Sequence, residues 1–163
     1  MKRRAYLDIE TTGLDRSYYD ITVIGVGFEG RRKCRVVQLI GDRISDARLL
    51  GLLSGVDEIY TYNGSRFDMP FIKEKLSVDL TQEFSHRDLM YDCWKNNLKG
   101  GLKVVEQKLE IGRNSKGIDG FMSVRLWWDY VNDNDEDALE TLLEHNREDV
   151  VNLRVLREKL GVR

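Results

Sequence analysis

Apolar positions fall in short strand-like runs over the first forty residues and turn to helical spacing after Asp46. Arg4 to Ile9 reads as a strand running into an acidic pair. Ile21 to Phe28 is a β-branched run with glycines two apart, the pattern of a buried strand. Glu29-Gly30 supplies a turn, and Cys34 to Leu39 partly alternates charged and apolar residues as an edge strand does. Three antiparallel strands are therefore expected first. After Asp46 an apolar stripe of Ala47, Leu49, Leu50, Leu52 and Leu53 predicts a helix ending near Gly55. A strand over Glu58 to Tyr62 follows, then the turn Asn63-Gly64 and a helix from about Met69 to Leu76. A fifth strand is expected around Ser85 to Asp88. Beyond it the spacing predicts helices over Leu89–Asn97, Leu102–Leu109, Met122–Val131 and a long last one from Glu136 to Leu160. An antiparallel meander, later parallel strands and a helical C-terminal half predict an α/β fold with a mixed five-stranded sheet and flanking helices.

The 163 residues, 41% hydrophobic, allow one domain spanning residues 1–163 and leave no room for a second of ordinary size. A single proline and the lack of repeats or low-complexity tracts argue against linkers and solenoids. Met1-Lys2-Arg3-Arg4 is basic, but Asp8 and Glu10 interrupt the apolar run behind it, so neither a signal peptide nor a membrane span is expected. A soluble, cytoplasmic protein without membrane contact is the expectation. Cys34 and Cys93 lack any paired Cys/His spacing and read as reduced structural thiols.

Formal net charge is −2, which taken alone disfavours a phosphate-rich partner. Setting aside four acids singled out below leaves a net positive remainder, with basic clusters at Arg31, Arg32, Lys33 and Arg35 and at Lys95, Lys99 and Lys103. These fit a nucleic-acid backbone and equally a solvated surface.

Candidate chemistry starts at Asp8-Ile9-Glu10-Thr11-Thr12-Gly13. Residues two apart on a strand share a face, so Asp8 and Glu10 direct two carboxylates at one place, where they repel unless a cation lies between them. Hard oxygen donors suit magnesium or manganese. Asn63-Gly64-Ser65-Arg66-Phe67-Asp68 sets Asp68 beyond the fourth strand, where it serves either as a helix cap or as a ligand, and Phe67 as core or as a stacking face. His145-Asn146-Arg147-Glu148-Asp149 lies in the last helix, with His145 and Asp149 one turn apart on one face. They form either a plain surface pair or a base beside a ligand.

Asp-x-Glu-Thr-Thr-Gly, Asn-Gly-x-x-Phe-Asp and His-x-x-x-Asp together resemble, in order and context, the three motifs of DnaQ-like 3′→5′ exonucleases. Within that group the chain looks most like the YprB-type ribonuclease H-like family. The likeness extends through Ser85 to Leu89, Leu102 to Leu109 and Gly120 to Trp127, and covers Ala5 to about Leu156. It implies a ribonuclease H-like sheet and two Mg2+ or Mn2+ ions held by Asp8, Glu10, Asp68 and Asp149. In that arrangement Asp8 bridges, Glu10 and Asp149 stand on the water-activating side, and Asp68 stands nearer the leaving group. It also implies that Thr11, Thr12, Gly13, Leu14, Asn63 and Phe67 line a single-stranded DNA or RNA substrate near its 3′ end. Members carry tyrosine four residues before the last acid or histidine five before it. Here His145 stands at the tyrosine spacing, where it would accept a proton from the attacking water.

The expected function is a two-metal 3′→5′ exonuclease, with a protein partner able to supply substrate grip. A structure-selective endonuclease, a silent nucleic-acid-binding module and a metal-binding structural domain are the alternatives.

Overall fold

The alternation read in the first strand sorts its side chains to opposite faces of a five-stranded sheet, in a computed structural model that describes residues 2–115 and 117–163. Met1, which opens the basic N-terminal run, lies outside the described residues. The strands are β1 (Arg4–Thr11), β2 (Ile21–Glu29), β3 (Cys34–Ile40), β4 (Glu58–Thr61) and β5 (Ser85–Asp88), in the order β3-β2-β1-β4-β5. β1, β2 and β3 form the antiparallel meander, and β4 and β5 add in parallel beside β1.

Among the described residues, seven α-helices flank the sheet: α1 (Asp46–Leu52), α2 (Asp68–Leu76), α3 (Leu80–Glu83), α4 (Leu89–Lys95), α5 (Leu102–Lys108), α6 (Gly120–Asp133) and α7 (Glu136–Lys159). The four-residue α3 and a 3-10 turn at Gly41–Arg43 are too short to imprint a period and escape the sequence reading. Ala5, Leu7 and Ile9 of β1 pack with Ile24 and Val26 against Leu49, Leu53, Phe71 and Ile72 on one face. Tyr6 and Tyr60 stack 5.5 Å apart on the other, under Leu89, Cys93, Val105, Val150, Leu153 and Leu156. Each fully buried aliphatic side chain contributes on the order of 1.5–3 kcal/mol. Both thiols are free, Cys93 buried and Cys34 half-buried.

Asp8 and Glu10 continue the alternation of Tyr6 and so face α7. The same register sets Gly25 beside Asp8 and Gly27 beside Tyr6 on β2. A Cβ on Gly25 would stand 2.2 Å from Asn146 Oδ1, and one on Gly27 would stand 2.6 Å from Val150 Cγ1. The two glycines are thus what lets α7 lie close over the strand that carries the acids. Along α7 the buried residues are Ala138, Leu142, His145, Asn146, Val150, Asn152, Leu153, Leu156 and Arg157, with His145 and Asn146 where the helix crosses the end of β1.

At the opposite end of the sheet, Arg157 donates to Tyr6 Oη (2.8 Å) and to Glu29 (2.6 Å), tying the last turns of α7 to β1 and β2. The turn bearing Arg31, Arg32 and Lys33 follows Glu29, beside the N-terminal half of β1 and far from the acids. No described helix is long and apolar enough to cross a membrane.

Candidate active site

Ligand atoms of Glu10, His145 and Asp149 lie within 4.8 Å of one another, which joins the C-terminal end of β1 to the middle of α7. Asp8 stands in the same electrostatic field. Burial, then the negative charges of Asp149, Glu10 and Asp68, hold its carboxyl well above the usual carboxylate range. Glu10 is pushed up to about 8, by burial first and Asp149 next. Asp68 is raised by burial and by Asp88 and Asp149. Asp149 is raised by burial although Arg113 draws it down. Asp8 and Asp68 stand outside the close group of Glu10, His145 and Asp149, but the four acids raise one another through their charge, a field that favours a divalent ion.

Asp68 does not act as the cap that the sequence allowed. It is the first residue of α2, the cap position falls on Phe67, and no side chain caps the helix. Asp68 is 4% exposed and its Oδ1 has no hydrogen-bond partner. A buried carboxylate oxygen left without a donor is costly unless something else satisfies it. Such an orphaned oxygen beside three further carboxylates fits a hard cation of the magnesium or manganese kind. Asp88 does the local building instead. Its carboxylate accepts from the backbone amides of Asn63 (2.8 Å), Ser65 (3.0 Å) and Met90 (3.1 Å), which pins the turn that delivers Asp68. Asn63 occupies the left-handed region, with φ of 59°, so its role here is to shape that turn.

His145 is 5% exposed. Its Nε2 lies 3.4 Å from Asp149 Oδ2 and 3.7 Å from Glu10 Oε1. Burial, reinforced by Lys103 and Arg113, lowers its pKa to about 4, so these are contacts of a neutral ring at pH 7 and not ion pairs. Lys103 of α5 is the member of the second basic cluster whose charge reaches Glu10, His145 and Asp149.

The end of β1 and the segment after it hold one another through local contacts. Thr11 Oγ1 donates to the Gly13 carbonyl (2.7 Å), and Thr12 Oγ1 accepts from the Asp20 amide (3.0 Å). The space that Gly13 leaves by lacking a Cβ is filled by the Tyr19 ring, which such an atom would meet at 2.4 Å. In this structure the glycine therefore serves the loop's own packing. Leu14 projects into solvent, 85% exposed, while Phe67 is half-buried against the core beside Phe71.

Several residues of the site carry no motif. Asn146 bonds to Asp8 and Gln38. Glu106 and Arg113 form a buried pair against Asp149. Glu148 accepts from the Asn114 and Ser115 amides, at 3.0 Å each, and holds the loop after α5 against α7. One signal was available for Asn146: two glycines at strand spacing in β2 announce a close backbone approach.

Comparison with known proteins agrees with this architecture. The chain matches the RNase_H superfamily over residues 5–161. It is 28% identical to the uncharacterized protein YprB of Bacillus subtilis (strain 168) over 163 residues, covering 91% of this chain and 39% of that protein, so it spans well under half the length of that relative. The family B DNA polymerase of the hyperthermophilic archaeon Pyrobaculum calidifontis superposes with a TM-score of 0.74 at 18% identity, over 99% of this chain and 25% of the polymerase. The zinc-ion-bound complex of E. coli ExoI with ssDNA superposes with a TM-score of 0.51 at 15% identity, over 94% of this chain and 45% of ExoI. At these identities the two structures establish the shared fold.

Proposed function

Because the chain belongs to the RNase_H superfamily, we propose that it is a divalent-cation-dependent nuclease working as a 3′→5′ exonuclease on single-stranded DNA or RNA. The observation that carries this reading is the buried, unpartnered oxygen of Asp68 among the mutually repelling carboxylates of Asp8, Glu10 and Asp149. Asp8, Glu10, Asp68 and Asp149 are the residues that would hold two Mg2+ or Mn2+ ions. Bound there, such ions would lower the pKa of a nucleophilic water and stabilise the leaving oxygen of a phosphodiester.

The chain's own groups do the rest. Asn146 fixes the Asp8 carboxylate, and Asp88 fixes the turn ahead of Asp68. His145 stands beside Glu10 and Asp149, within reach of a water or phosphate oxygen at those acids. Lys103 offers positive charge toward the same place, where an incoming phosphate is otherwise repelled by four acids. On this reading Thr11, Thr12, Gly13, Leu14, Asn63 and Phe67 would line the substrate near its 3′ end, and Leu14, exposed to solvent, would meet a terminal base. The shared fold with an ExoI that holds ssDNA supports a single-stranded partner, for which little sequence preference is expected. A longer relative leaves room for further substrate grip from another segment or a protein partner.

The test is incubation of 5′-labelled linear and circular single strands with manganese. Ladders from linear DNA or RNA with circles intact support the proposal. Nicked circles would replace it with an endonuclease. Retarded migration without cleavage would replace it with a binding module. Running DNA and RNA side by side identifies the preferred sugar.

A further inference from the structure

Arg113 lies in the turn after α5, its side chain 8% exposed, without any motif to announce it. Its Nε and Nη2 fork onto the buried Glu106 carboxylate at 2.9 and 2.8 Å. Glu106 is steadied in turn by the Asn152 amide of α7 (3.1 Å), which also donates to the Gly112 carbonyl (3.2 Å). From that seat Nη2 donates to Asp149 Oδ1, and Nη1 comes to 3.5 Å from His145 Nδ1.

The donor inventory of these groups restricts what the imidazole can do. A guanidinium carries donors only, so the ring nitrogen facing it has to present a lone pair. A neutral imidazole then carries its proton on Nε2, the nitrogen that faces Asp149 Oδ2 and Glu10 Oε1. The Asp149 carboxylate on that side and a cation on the other favour the same tautomer. A histidine that ligates a metal usually donates its second N–H to a carboxylate or carbonyl. Here that second place is taken by Arg113.

We propose that Arg113, braced by Glu106, is a positioning residue: it occupies one oxygen of Asp149 so that the other is presented to the acid cluster, and it fixes His145 as a hydrogen-bond donor toward that cluster, neither a metal ligand nor a proton acceptor through Nε2. A tyrosine hydroxyl at this spacing would likewise offer a donor. The role given to Asp149 rests on the nuclease reading. The role given to His145 rests on the contacts alone.

Long-range 1H–15N correlation of the imidazoles in cation-free protein at pH 7 reads the tautomer directly. The chain has two histidines, and His86→Gln assigns the spectrum. The wild type is expected to show His145 protonated on Nε2 and bare on Nδ1. Arg113→Lys keeps the charge but cannot fork. It is expected to shift the tautomer toward Nδ1–H and to weaken Mn2+ binding, measured by calorimetry, about 10–100-fold. Glu106→Gln, which keeps the guanidinium but loosens its seat, is expected to move both readouts the same way and serves if Arg113→Lys does not fold. Nδ1–H in the wild type, or a folded variant in which either readout stays at its wild-type value, overturns the proposal. A wild type that takes up no Mn2+ at all defeats the nuclease reading instead, while the tautomer still tests Arg113.

Discussion

Asn146 donates through one amide nitrogen to both the backbone carbonyl (3.2 Å) and the carboxylate (3.0 Å) of Asp8, a residue 138 positions earlier in the chain. Its Oδ1 accepts from Gln38 Nε2 at 2.9 Å, and Gln38 also reaches the Leu143 carbonyl at 2.8 Å. Asp8, Gly25 and Gln38 are register partners across β1, β2 and β3, so one amide spans three strands. Asn146→Ala would leave Asp8 without its donor. A buried acceptor left unpaired costs about 1–3 kcal/mol, and loss of a group that orients a ligand lowers activity or metal affinity about 10–100-fold. Urea unfolding and turnover with manganese measure the two effects. Turnover within twofold of wild type in the folded variant would remove Asn146 from the site.

Gly25→Ala attacks the same bridge from below. The added Cβ would stand 2.2 Å from Asn146 Oδ1 and 3.0 Å from Val150 Cγ2, so α7 or the amide has to move. Overpacking of this kind costs roughly 1–3 kcal/mol. Because the displaced group holds Asp8, activity should fall further than in Gly51→Ala, where nothing lies within 4 Å of the new atom. Equal activities in the two variants would contradict this account.

How much of this was legible beforehand follows from the range of each interaction. Period two in β1, the glycine-spaced β2 and the apolar stripe of α7 are local patterns, and they predicted the sheet and its long helix to within a residue or two. Asp8 and Glu10 share a face by strand geometry alone, which makes the pair readable from eight letters. Gln38, Glu106, Arg113 and Asn146 each act on a partner 32 to 138 residues away: Arg113 on His145 at 32 and Asp149 at 36, Glu106 on Asn152 at 46, Gln38 on Asn146 at 108 and Asn146 on Asp8 at 138. Their meaning depends on strand register and on where α5 docks against α7, neither of which leaves a period in the sequence. That Asp68 does not cap α2, and that Phe67 packs inward, showed only once α2 began at Asp68 and its cap position fell on Phe67.

Asp68→Asn should trade function for stability. The substitution keeps the shape while removing one charge from a buried cluster, and relief of such crowding typically adds about 0.5–2 kcal/mol. The cation-free protein is therefore expected to melt at a higher temperature than the wild type. A ligand at one hundred times its Kd stabilises by about 2.7 kcal/mol, and that increment should shrink in the variant as Mn2+ binding weakens. Thermal melts with EDTA and with MnCl2 read both halves, and a cation-free melting point below that of wild type would count against repulsion as the governing force at Asp68.

Leu14 is 85% exposed, so truncation has little to cost in folding. If it meets a terminal base beside the acids, Leu14→Ala removes about 1–2 kcal/mol of apolar contact, a KM increase of roughly 5–30-fold. Steady-state kinetics on a short single strand would place it away from the substrate should KM stay unchanged.

The pH dependence of the cation-free protein follows from the direction of the carboxyl shifts. Glu10 is raised from an ordinary 4.5 to about 8, and Asp8 and Asp68 are raised as well, in each case with burial as the first cause. The folded state therefore keeps protons that the unfolded chain releases above its ordinary carboxyl pKa. Stability from these groups is full below about pH 4 and declines as pH rises through the raised folded values. Between pH 5 and 8 the melting point in EDTA should fall, the reverse of a protein whose acids are salt-bridged. Saturating Mn2+ replaces the protons as counter-charge, so the cation-induced rise in melting point should be larger at pH 8 than at pH 5. A melting point in EDTA that climbs over this interval would mean that the four carboxylates are already balanced by the chain's own cations.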